Sequence, residues 1–265
     1  MRIGVIGAGA MGCLFAGSLA EAEEDVFLIE VAQTQIETIR DRGLRLDTDC
    51  GSRVLHLPIG EAQMFSGPCD LLVVFTKSFH TRAAIRTAAP LLGSSGIAMT
   101  VQNGLGNAEA IAQVVPEDRI VVGMTTWPAD IRASGHVVSH GSGEVRIWSM
   151  TRKPSDVVFK IARSLSCAGL NCIADPDVES AIWEKLAFNA ALNSLCAASG
   201  LTVGSIGQSG TGRRLAGAIA SETLAVARAL SIKVNKDRVQ KALDHAFLSH
   251  RDHKPRCFRT CSRDV

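Results

Sequence analysis

Arg2-Ile-Gly-Val-Ile6, Gly7-Ala-Gly-Ala-Met-Gly12 and Val26-Phe-Leu-Ile29-Glu30 decide the fold. The first run is apolar and of strand length. The Gly-rich stretch follows it directly, and Leu14, Phe15 and Leu19 then recur at helical spacing. The second apolar run ends on Glu30. Strand, Gly-rich turn, helix, strand and acid within about 30 residues make a βαβ unit. Gly7 permits the tight turn, Gly9 lets a diphosphate approach the backbone, and Gly12 lets helix and strand pack closely. Ala8, Ala10 and Met11 complete this G-x-G-x-x-G stretch, and the helix start offers N–H groups and a partial positive charge to an anion. Glu30 can accept both adenine-ribose hydroxyls, which favours NAD, and would repel the 2′-phosphate of NADP. A solvated surface Glu is the other reading of that residue.

The alternation continues outward. Asp70–Phe75, Gly96–Val101 and Arg119–Gly123 read as further buried strands, with helical stretches near 79–91 and 105–115. Strands alternating with helices predict a parallel, doubly wound sheet. After Gly123 the pattern changes. Gly135–His140 and Glu144–Trp148 are expected to pair as an antiparallel hairpin around a Gly-Ser-Gly turn. A helix over 155–166 and a strand over 170–174 follow. Asp175-Pro176 then reads as an N-cap with proline in the first helical position. Helices are expected over 176–198, 212–231 and 235–249. The predicted fold is thus α/β: a Rossmann-type dinucleotide-binding domain over 1–174, then an all-helical domain from 175 to 265.

Composition narrows the function. The chain has 265 residues, 46% of them apolar and 20% charged, an ordinary globular balance. Its net charge of +2 supplies no basic field for nucleic acid. No apolar run reaches the roughly 20 residues of a membrane span. The chain begins directly on a strand, so no leader peptide is expected. Eight cysteines without regular spacing argue against a disulfide scaffold or a zinc site and for a reducing, cytoplasmic setting. Cys13, Cys69, Cys167, Cys172 and Cys196 are expected as buried small apolar residues. Tyr is absent, which excludes every mechanism built on a catalytic tyrosine. The seven histidines show no metal spacing.

Lys185, Asn189 and Asn193 recur at i, i+4, i+8 in Trp183-Glu-Lys-Leu-Ala-Phe-Asn-Ala-Ala-Leu-Asn193, on one face of an otherwise apolar helix. Buried polar groups need partners. A small polar substrate would provide them, and a lysine so placed can give a proton to a carbonyl oxygen. An interhelical hydrogen-bond stripe, or a lysine paired with a nearby carboxylate, fits the spacing equally. Lys77 and Asn103 each follow a strand, where the carboxyl ends open onto the ligand crevice of a doubly wound sheet. A solvated helix start and a simple turn are their structural readings.

These residues resemble the ketopantoate reductase (2-dehydropantoate 2-reductase) family. The resemblance rests on Gly7–Gly12, Thr76-Lys77, Gln102-Asn-Gly-Leu-Gly-Asn107, Gly123-Met-Thr-Thr126, Gly135–His140 and, most specifically, Trp183–Asn189 with Asn193. It implies reduction of a small 2-keto acid, 2-dehydropantoate above all, in a cleft between the two domains. Lys185 would protonate the keto oxygen while the nicotinamide delivers hydride. Asn189 and Asn193 would hold the substrate's hydroxyl and carboxylate end. Lys77 and Asn103 would stand on the nicotinamide side, Asn103 reaching substrate as well. The family typically uses NADPH, so NADP follows from the resemblance and NAD from Glu30. The helical domain is expected to serve substrate binding and dimerisation, with a homodimer as the candidate assembly.

The resemblance stops at Pro255. The family pattern continues Ser-Met-Leu-Gln-Asp, but here Arg-Cys-Phe-Arg-Thr-Cys-Ser-Arg-Asp-Val265 follows. Deleting one base from a suitable coding of Ser-Met-Leu-Gln-Asp-Val-Leu-Ala-Gly-Arg-Val-Thr yields these ten residues and then a stop. Residues 256–265 are therefore expected to be an out-of-frame tail and the helical domain incomplete. The resemblance gives the absent Ser a substrate contact and the absent Glu, further on, a cofactor contact. The expectation is a surviving cofactor fold with weak or absent turnover, or, at the limit, a non-catalytic dinucleotide-binding remnant.

Overall fold

A computed structural model describes residues 1–249. The expected out-of-frame tail, 256–265, lies outside the described residues. The chain divides into two units, the first over Met1–Val178 and the second from Glu179 onward.

The first unit opens with β1 (Arg2–Ile6), α1 (Ala10–Glu21), β2 (Asp25–Ile29) and α2 (Gln33–Arg42). A polar excursion follows: β3 (Leu44–Thr48), β4 (Gly51–Leu55) and β5 (Ile59–Gly60). Then come β6 (Cys69–Val74), α3 (Thr81–Ala88), β7 (Leu92–Thr100), α4 (Asn107–Ala112) and β8 (Ile120–Thr125). β9 (Asp130–Ala133), β10 (His136–Ser139), β11 (Val145–Ser149), α5 (Asp156–Cys167) and β12 (Cys172–Ala174) complete the unit. The main sheet has the order β12-β11-β8-β7-β6-β1-β2-β5. From β5 to β8 every pairing is parallel, as the βαβ alternation requires. Both faces are covered, so β6 carries Leu71, Leu72, Val73 and Val74 as one continuous buried run.

The expected hairpin of 135–140 with 144–148 does not form. β10 joins a second sheet, ordered β4-β3-β10-β9, while β11 adds to the main sheet antiparallel to β8 and parallel to β12. Asp49 in the β3–β4 turn explains the divergence. Its carboxylate binds His140 Nδ1 (2.8 Å) and accepts the Gly141 N–H (2.6 Å), so the chain leaves β10 toward β3 instead of turning back. The β3–β4 hairpin was not legible in its polar sequence. It forms because Leu44 and Leu46 bury fully, and Gly17 of α1 lets Leu46 approach where any side chain would collide.

Cys13, Cys69, Cys172 and Cys196 are buried as expected, but Cys167 is exposed. The buried stripe of α5 is Val158, Ile161, Ala162 and Leu165, and Cys167, two residues past Leu165, falls on the outer face.

The second unit holds most of α6 (Val178–Ser199), then α7 (Val203–Gln208), α8 (Gly210–Ala229) and α9 (Lys236–Ser249). α6 starts two residues later than the Asp-Pro signal suggested. Asp175 instead closes a turn, accepting the Asp177 N–H (2.9 Å) and pairing with Arg146 (3.1 Å). The core of this unit runs along one stripe per helix: Ala187, Ala191 and Cys196; Ala216, Ala220 and Leu224; Val239, Leu243 and Phe247. The spacing is that of helices packing by one face. Phe247 lies against Gly207, at a distance no Cβ there would allow.

Candidate active site

The Gly-rich loop sits where α1 leaves β1. Gly7 has φ of +97°, and a Cβ there would come within 3.2 Å of the Phe75 and Thr76 backbone. Gly12 is stricter still, since a Cβ would lie 1.9 Å from the Gly7 carbonyl oxygen. Gly9 is the opposite case, with nothing within 4 Å of an added Cβ. Helix bonding begins with Cys13 N–H to Gly9 C=O (2.9 Å), so the N–H groups of Ala10, Met11 and Gly12 lie ahead of the first such bond. α1 has no side-chain cap and no acid in its first turn. The helix start therefore presents donors and positive potential beside open space, which suits a diphosphate.

Glu30 is anchored by the backbone, with one lone pair left on Oε2 for a ribose hydroxyl. One carboxylate oxygen accepts the Ala8 N–H (2.7 Å), and the other accepts those of Val31 (2.7 Å) and Ala32 (3.0 Å). It caps the chain after β2 and holds the Gly-rich loop.

β1 lies between β2 and β6, so the loops after β1 and β6 diverge, the arrangement that opens a ligand crevice in such sheets. A cavity of about 460 Å³ occupies that position, lined by Gly7, Gly9, Glu30, Val31, Thr76 and Lys77 among others. Lys77 thus joins the Gly-rich loop at one cavity. Asn103 is exposed in the loop after β7 and is not among the residues lining it.

A half-buried amide network, not anticipated from the sequence, lies beneath these loops. Gln102 Nε2 donates to the Thr76 carbonyl (2.6 Å) and to Thr81 Oγ1 (3.0 Å), while its Oε1 accepts from Thr100 (2.9 Å). Thr81 donates on to Asn107, whose amide donates to the Asn103 carbonyl (3.2 Å). The network ties the Lys77 loop to the Asn103 loop. The signal lies in the Gln102–Asn107 run, of which Asn103 alone reads as functional from the sequence.

In the second unit, Lys185, Asn189 and Asn193 lie along α6, each partly buried. Burial pulls the Lys185 ammonium down to about 8 from its ordinary 10.5. The adjacent Glu184 is engaged elsewhere: it accepts the Asn235 N–H (2.8 Å) and faces Arg238 (3.6 Å) at the start of α9.

The chain matches the family described as Ketopantoate reductase PanE/ApbA over residues 3–151, and that family's C-terminal region over 177–260. The chain belongs to the ketopantoate reductase family. A 2-dehydropantoate 2-reductase of Streptococcus pyogenes serotype M18 is 28% identical over 255 residues, covering 96% of this chain and 83% of its own length. The 2-dehydropantoate 2-reductase structure from Geobacter metallireducens GS-15 superposes with a TM-score of 0.92 at 27% identity, covering 100% of this chain and 88% of that one. A ternary structure of D-mandelate dehydrogenase with NADH and anilino(oxo)acetate superposes with a TM-score of 0.93 at 25% identity, covering 100% and 86%. The expectation of a Rossmann-type α/β sheet followed by helices holds for this member of the ketopantoate reductase family. Among the described residues, no helix is long and apolar enough to cross a membrane, and no cluster of His, Cys, Asp and Glu could hold a metal.

Proposed function

We propose that the protein reduces 2-dehydropantoate, a small 2-keto acid, to the 2-hydroxy acid with a nicotinamide dinucleotide. The observation that carries this is Lys185 on α6, with its ammonium lowered to about 8 and Asn189 and Asn193 on the same face, in a chain of the ketopantoate reductase family. The bound dinucleotide supplies the hydride. Its diphosphate is met by the N–H groups at the start of α1, its adenine ribose by Glu30, and its nicotinamide side by Lys77 and Asn103. Lys185 Nζ–H gives its proton to the keto oxygen as negative charge develops there. Asn189 and Asn193 hold the substrate's hydroxyl and carboxylate end. Asn103 completes the substrate side. We place the reaction in the cytoplasm, in keeping with free thiols at the six described cysteines, and the protein as a homodimer.

The pH dependence has a fixed sign. Reduction needs Lys185 protonated, and its pKa is depressed. The rate is therefore full below about 8 and falls as pH rises through that value. A kcat/KM profile with ketopantoate should be level on the acid side and fall about tenfold per unit well above the pKa. A level profile up to the ordinary lysine range would remove Lys185 as the proton donor.

Glu30 sets the cofactor preference. A carboxylate that accepts three N–H groups beside the cavity stands where a 2′-phosphate would meet like charge. NADH should exceed NADPH in kcat/KM by about tenfold, the equivalent of about 1.4 kcal/mol. Glu30→Gln should narrow that preference yet weaken both cofactors, because a single amide oxygen replaces two carboxylate acceptors. Equal use of NADH and NADPH by the wild type would contradict this role.

A further inference from the structure

Gln35, the third residue of α2, uses every hydrogen-bonding position of its amide. Its Oε1 accepts from Ser134 Oγ (2.7 Å) and from the Gly135 N–H (3.0 Å), in the turn between β9 and β10. Its Nε2 donates to the Ala8 carbonyl (2.8 Å) and lies 3.9 Å from Cys13 Sγ. The amide orientation follows from backbone chemistry: the Gly135 N–H can only donate and the Ala8 carbonyl can only accept. Ala8 is the residue between the first two motif glycines, and it is held on both sides. Glu30 takes its N–H, while Gln35 and the Cys13 thiol (3.2 Å) both donate to its carbonyl. Burial pushes the Cys13 thiol up to about 12, so it remains a donor.

The Ala8 carbonyl and the Gly9 N–H belong to one planar trans peptide and point in opposite directions. Drawing the carbonyl toward Gln35 therefore turns the Gly9 N–H away from Gln35. We propose that Gln35 is a positioning residue for the dinucleotide: it sets the direction of the Gly9 N–H donor and ties the Gly-rich loop to the 134–135 turn of the second sheet. The consequence is chemical selectivity. A ligand that carries the diphosphate depends on Gln35, and one that carries only adenosine does not. The inference rests on the dinucleotide reading above.

Two measurements on the full chain test it. Calorimetric titration with ADP-ribose and with adenosine compares wild type, Gln35→Met and Ser134→Ala. Gln35→Met should weaken ADP-ribose about tenfold, the scale of one lost hydrogen bond, and leave adenosine within about twofold. Ser134→Ala keeps the Ala8 bond and should leave both ligands near wild type. Should Gln35→Met not fold, Gln35→Asn, too short to span both partners, takes its place. An ADP-ribose affinity unchanged in the variant, or an equal loss for adenosine, overturns the proposal. The Gly9 amide chemical shift without any ligand is the second readout, and it should move in Gln35→Met but not in Ser134→Ala. Failure of the wild type to bind ADP-ribose would sink the dinucleotide reading itself. An unchanged Gly9 amide shift would sink the clamp, whatever the ligand.

Discussion

Lys185→Ala should lower kcat for ketopantoate reduction by about 10²–10⁴-fold, the range expected for loss of a positioned general acid. Dinucleotide affinity should not change, because the groups assigned to the cofactor lie in the first unit, around Gly9, Glu30 and Lys77. A thermal melt checks the fold: a midpoint near that of the wild type, with binding intact and turnover lost, would assign the defect to chemistry. Lys185→Arg keeps a positive charge but holds its proton too tightly to release it, and should be similarly slow. Turnover within a few-fold of wild type in Lys185→Ala would leave Asn189 and Asn193 as a structural stripe, the reading that spacing alone had left open.

Gly12→Ala should abolish dinucleotide binding and destabilise the first unit. The added methyl would lie 1.9 Å from the Gly7 carbonyl oxygen, a backbone atom that cannot rotate aside. α1 must then move away from β1, loosening the buried core to which Val5 of β1 and Phe15 of α1 both belong. Overpacking of this kind costs about 1–3 kcal/mol, and the displaced helix carries the anion-facing N–H groups with it. Gly9→Ala separates the two effects. Its methyl meets nothing within 4 Å, so the protein should melt like wild type while losing affinity for the diphosphate. Titration with NADH beside a thermal melt distinguishes them: Gly12→Ala should lose both binding and stability, Gly9→Ala binding alone. Normal binding in both variants would show that the loop does not cradle a diphosphate.

The parts of the fold that follow from strong local periodicity were legible. β1, α1 and β2 came from one Gly-rich run, and α6, α8 and α9 from helical spacing. What was not legible depends on partners distant in sequence. A Gly-Ser-Gly stretch between β10 and β11 reads as a hairpin turn, yet Asp49, some ninety residues earlier, draws the chain into another sheet. β3 and β4 are half polar and become strands only because α1 offers Gly17 against Leu46. The candidate site shows the same division. Gly7, Gly9, Gly12, Glu30 and Lys77 were found as motif residues and do line or flank one cavity. Gln35 has no readable role, since a glutamine in a polar helix has no distinguishing pattern, and Gln102 is legible only as part of the Gln102–Asn107 run. Their significance lies in which carbonyls they reach, Ala8 and Thr76, and no local spacing encodes that.

The measurement that tests the central claim most directly is ketopantoate-dependent oxidation of NADH and NADPH by the 265-residue chain. 2-Oxo-2-phenylacetate serves as a comparator 2-keto acid. A parallel chain carries Ser-Met-Leu-Gln-Asp-Val-Leu-Ala-Gly-Arg-Val-Thr in place of residues 256–265. Oxidation should require ketopantoate, exceed that with the comparator, run faster with NADH and disappear in Lys185→Ala. Activity confined to the second chain would place the defect in the tail and leave the reaction standing. No ketopantoate-dependent oxidation by either chain, with either cofactor, would contradict it.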